Sequence, residues 1–80
     1  MNWKTSNEMR AISYEQNTVE ANEKMTFVME SAEKKAKKGE YSITFSNEGV
    51  SYDVMKIVYE NLRCLGYRVS TRYSTFTVEW

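Results

Sequence analysis

Eighty residues allow one domain at most, and a chain of that length folds with a net stability on the order of 4–12 kcal/mol. Eleven basic residues balance eleven acidic ones, so no global field draws the molecule to nucleic acid, and affinity for phosphate has to come from a local patch. A hydrophobic fraction of 41% with 14% aromatics excludes intrinsic disorder, and the absence of histidine removes the commonest general base and the commonest metal ligand.

No apolar run approaches the roughly 20 residues that span a bilayer, so no membrane partner is expected. The single Cys64 cannot form an internal disulfide, and the polar residues 1–9 carry no signal-peptide core. A reducing, cytoplasmic setting is the expectation.

The first element is a long helix, predicted over 5–38. Thr5 and Glu8 stand three apart ahead of a periodic run, the spacing of a capping box. Ala11, Tyr14, Thr18, Ala21, Met25, Val28 and Ala32 follow at steps of three and four, which lines them along one seam. At the far end Lys34, Lys35, Lys37 and Lys38 complement the helix dipole, and Gly39 supplies a left-handed stop. Such a helix spans roughly 50 Å at about 1.5 Å per residue, against about 30 Å for a compact domain of this size.

Part of it must therefore overhang. The stronger stripe, Met25, Val28, Met29, Ala32 and Ala36, assigns the second half to the body. A second apolar row, Met9, Ile12, Val19 and Phe27, falls on nearly the opposite side and asks for a protein partner or a second copy of the chain. Two plainer alternatives stand beside this: a break near Asn17 or Asn22 that folds the first segment back over the second row, or a loose first twenty residues.

Residues 41–45 alternate Tyr41, Ile43 and Phe45 against Ser42 and Thr44, as a half-buried strand does. A turn through Asn47 and Gly49 leads to Ser51, the cap of a second helix over 52–65 with the apolar face Val54, Met55, Val58, Leu62 and Leu65. Gly66 ends it, and 67–73 and 76–80 alternate again as a hairpin. The predicted fold is α+β: a long N-terminal helix, then β-α-β-β, with a three-stranded mixed sheet covered on one face by the helices. Its first two strands are expected parallel through a right-handed crossover, with the last one inserted between them.

Catalytic chemistry has little to work with. No Ser-x-x-Lys, glycine-rich phosphate loop or paired carboxylates occur at a useful spacing, so neither an enzyme nor a cofactor is expected, and no metal site. Cys64 reads as a small half-buried core residue rather than a reactive thiol. Lys34 and Lys38 read first as a solvated helix end. Arg68 and Arg72 share one sheet face, with Tyr73 at the hairpin turn, and together with Lys34 and Lys38 they form the candidate anion site for a nucleotide or single-stranded nucleic acid. A polar outer face is the favoured reading, because the aromatics alternate inward and leave no stacking platform.

The run from Ala32 through Lys34, Lys35, Lys37, Lys38 and Gly39 to Phe45, then Leu62 through Gly66 and Arg68 to Val69, with Trp80 at the end, resembles small bacteriophage-encoded proteins of mostly unknown function. The likeness covers residues 32–80 and is one of architecture and rhythm. It implies a phage accessory protein that acts by binding a host or immune factor, or a minor virion or assembly component, in the host cytoplasm. The combined expectation is a non-enzymatic binding module that self-associates through its first helix.

Overall fold

The computed structural model describes residues 3–80. The first two residues of the polar N-terminal stretch lie outside it. The chain forms α1 (Ser6–Lys37), β1 (Ser42–Ser46), α2 (Tyr52–Cys64), β2 (Arg68–Arg72) and β3 (Thr75–Glu79).

α1 runs unbroken through Asn17 and Asn22. The hydroxyls of Thr18 and Thr26 donate to the carbonyls of Tyr14 and Asn22 at 2.8 and 3.1 Å, so these helix-weakening side chains satisfy themselves on the preceding turn. At the N-terminus the Thr5 hydroxyl accepts the Glu8 N–H at 3.2 Å and donates to the Glu8 carboxylate at 3.3 Å. Both helices stop in the same way. Glu40 N–H reaches back to Lys35 O and Gly39 N–H to Ala36 O, while Tyr67 N–H reaches Leu62 O and Gly66 N–H reaches Arg63 O. This is the paired closure of a Schellman motif, and it requires the positive φ of Gly39 (82°) and Gly66 (96°).

The sheet order is β1-β3-β2, and both ladders are antiparallel. The expected mixed sheet is thus corrected to an antiparallel one. β1 and β2 do run in the same direction, but β3 lies between them and takes the hydrogen bonds of both, so no parallel pair forms.

α1 packs over β1 and on α2, and α2 packs over β2. Between these layers Ala21, Val28, Val54, Met55, Val58, Leu62, Phe76 and Val78 form the core. Phe76 stacks on Phe45 at 5.1 Å between ring centroids and takes the edge of Tyr59 at 5.4 Å. On the opposite sheet face the hydroxyls of Thr44 and Thr77 share a 2.8 Å hydrogen bond, and Arg68, Ser70, Arg72 and Glu79 are exposed.

Several inward assignments are corrected. Tyr41 precedes β1 and is exposed, because the strand begins one residue later than expected. Leu65 caps α2 instead of extending its apolar face, so it too is exposed. Alternation over 67–73 puts Thr71 and Tyr73 on the same inward face as Tyr67 and Val69, yet both lie exposed, Tyr73 in the two-residue link of the hairpin with φ 33°. Cys64 is exposed in the last turn of α2, not half-buried.

Candidate interaction surface

The molecule measures 59 × 23 × 19 Å, and the long dimension follows from α1. Its buried residues, Ala21, Val28 and Ala32, all lie from the midpoint of the helix onward. From Ser6 to Gln16 every residue is exposed. The seam residues Ala11 and Tyr14 therefore continue the core stripe past its buried part, and both remain exposed.

The second apolar row divides in the structure. Ile12 and Val19 are each 46% exposed and stand on the open side of α1. Met9, at 55% exposure, turns toward α2, where with Tyr14 and Ile57 it forms the apolar floor of a groove of about 470 Å³. Arg10 and Lys56 on one hand and Asp53 and Glu60 on the other line its walls. Phe27 belongs elsewhere, since its ring meets the edge of Phe45 at 5.8 Å while the side chain remains 58% exposed. Phe27 is thus half-sheltered by β1, which the helical period alone did not indicate.

The residues assigned to anion binding are not brought together. Trp80 N–H donates to Tyr41 O at one end of the sheet and Asn47 N–H to Ser74 O at the other. Arg68 belongs to the Tyr41 end and Arg72 and Tyr73 to the Ser74 end, four residues or about 13 Å of strand away. Arg68 lies directly opposite Glu79 in the register, beside a polar hollow lined by Tyr41, Ser42, Gly66 and Trp80. Lys34 and Lys38 stand on the last turns of α1, also toward Tyr41. Among their neighbours Lys35 pairs with Glu40 at 3.1 Å and Lys37 with Glu33 at 3.4 Å, which offsets part of the charge.

Among the described residues no group of three or more His, Cys, Asp or Glu side chains is placed to hold a metal ion, and no helix is long and apolar enough to cross a membrane. One polar contact was not legible in the sequence: Asn47 Nδ2 donates to the Tyr59 hydroxyl at 3.2 Å and ties the β1–α2 turn to the second helix. No protein-family model matches the chain, and no curated protein or solved structure is significantly similar to it.

Proposed function

We propose that this chain is a small non-enzymatic binding protein that self-associates through the first half of α1, acting as a phage accessory factor on a host or immune component in the cytoplasm. One observation supports the reading above the others: the first half of an unbroken helix carries Met9, Ile12, Tyr14 and Val19, all exposed, with Ile12 and Val19 on the side turned away from α2. An overhanging apolar helix is stabilised by burying that surface against another, and a two-fold pairing of identical rods buries the same residues on both copies. The seam is rich in alanine and threonine, so helix axes approach closely, though each side chain contributes less area than leucine would.

The test is the molar mass in solution. Ile12→Asp combined with Val19→Asp places two charges on this surface and leaves the core of the monomer untouched. Light scattering is expected to show a multimeric wild type and a folded variant of lower mass. An unchanged mass refutes the reading.

A further inference from the structure

The sheet has two outer edges, and they differ in chemistry. β2 is guarded by Arg68 and Arg72, charges of the kind that discourage strand addition. β1 has the sequence Ser-Ile-Thr-Phe-Ser, with no charge and no proline. Its hydrogen-bonding parity follows from its two ends. Tyr41 pairs with Trp80 and Asn47 with Ser74, so the odd-numbered residues bond to β3. Ser42, Thr44 and Ser46 accordingly turn their N–H and C=O groups outward, presenting three donors and three acceptors along one edge.

α1 stands over this edge. Lys24, Phe27, Ser31 and Lys35 are spaced by three, four and four, so they share one stripe of the helix. Lys24 and Phe27 lie beside Phe45 and Ser46, and Lys35 lies beside Ser42, Ile43 and Thr44, bordering an open hollow of about 570 Å³ that is also lined by Glu40, its partner in an exposed ion pair at 3.1 Å. Two lysines thus bracket a half-exposed aromatic ring above an uncapped strand.

We propose that the β1 edge is a docking site for an extended acidic segment of a partner protein, which adds as a fourth strand beneath α1. The outward groups of Ser42, Thr44 and Ser46 hold its backbone. Alternate side chains of that segment point toward α1, where an apolar residue fits under Phe27, one flanking carboxylate meets Lys24 and the other takes Lys35 in exchange for its weak, exposed pair with Glu40. The two lysines are about 16 Å apart along the helix, between the same-face spacings of four and six strand residues, and the flexible lysine stems cover the difference. A second copy does not fit this edge. Pairing β1 with itself about Thr44 sets the strands about 4.8 Å apart, whereas the α1 helices lying over them need 8–10 Å between axes.

The probe is a fluorescein-labelled heptapeptide, Glu-Thr-Ile-Thr-Phe-Thr-Glu, titrated into the full ¹⁵N-labelled chain, with Lys-Thr-Ile-Thr-Phe-Thr-Lys as its charge-reversed counterpart. The acidic peptide is expected to shift the amides of Ser42, Thr44 and Ser46 and slow their exchange, and to bind about threefold to fivefold more tightly than the basic one, the net gain of one exposed ion pair. Lys24→Glu with Lys35→Glu is expected to invert that preference. Thr44→Pro removes an outward N–H and no β1–β3 backbone hydrogen bond, but also the 2.8 Å side-chain bond to Thr77, for which Thr44→Val is the control; the proline variant is expected to abolish binding and the valine variant to keep it, both with the circular dichroism spectrum retained.

Equal affinity for the two peptides overturns the proposal, as do shifts confined to other residues. So does protection of the β1 amides without peptide in a species of doubled mass, which assigns the edge to a second copy. Peptide binding that survives Ile12→Asp with Val19→Asp separates this site from the association of α1.

Discussion

Replacing Ile12 by alanine and, separately, Leu62 by alanine asks which parts of the fold shelter which side chains. Leu62 is 0% exposed at the centre of the core, and its truncation leaves a cavity; the expected cost is about 2–5 kcal/mol. Ile12 retains 46% of its surface in the isolated chain. About half of the 1.5–3 kcal/mol for full burial is at stake, and alanine's better helix propensity returns about 0.4, leaving roughly 0.5 kcal/mol. Urea unfolding followed by circular dichroism measures both. It should be run at two concentrations about a hundredfold apart, because association through this surface adds up to about 2.7 kcal/mol to the wild type over that range. The expected result is a small Ile12→Ala effect at the low concentration that grows at the high one, beside a constant large effect of Leu62→Ala. An Ile12→Ala cost equal to that of Leu62→Ala at the lowest concentration would refute the reasoning, since it would mean that the chain encloses Ile12 itself.

Two further expectations follow from the same geometry. Ser51 caps α2, which contributes four residues to the core, whereas Thr5 caps the end of α1 that overhangs. Ser51→Ala should cost about 1 kcal/mol and lower the thermal midpoint by about 4–8 °C, while Thr5→Ala should leave the midpoint unchanged and speed amide exchange only in the first turn of α1; equal midpoint shifts would show that the overhang is coupled to the core. Tyr73 occupies the left-handed region at φ 33° with its side chain wholly in solvent, so Tyr73→Asn should relieve part of the roughly 1–2 kcal/mol of strain and raise the midpoint; a fall would show that the ring makes a stabilising contact.

Both helices were legible from caps, periodicity and terminal glycines because those signals are local. The inward faces of the strands were legible from alternation in Ile43 and Phe45 and again in Phe76 and Val78. The failures are at boundaries and at long range. Tyr41 and Tyr73 keep the alternating pattern but lie outside the hydrogen-bonded strands, and side-chain alternation carries no information about where a ladder ends. The β2–β3 ladder is a local hairpin, whereas the β1–β3 ladder pairs residues about thirty or more positions apart, so the absence of any parallel pair rests on a long-range contact. For the candidate surface, sequence periodicity grouped Met9, Ile12, Val19 and Phe27 as one row, but the helical wheel cannot show that β1 approaches Phe27 or that α2 approaches Met9. The strand order that leaves β1 at an edge was anticipated, with the last strand between the first two, but which of its residues turn outward depends on the ladder parity, which alternation does not give.

That strand order also constrains how the protein is made. β3 is the middle strand and follows both of its partners in the chain, so neither ladder can begin before Thr75 emerges from the ribosome or be completed before Glu79 does. At about 5–20 residues per second, the nascent chain spends a few seconds with α1 and α2 available to each other and β1 unmatched. During that interval the apolar stripes of the two helices are the chain's main protection against aggregation, and a stalled or shortened product lacking β3 would be expected to be cleared rather than to accumulate as a partial fold.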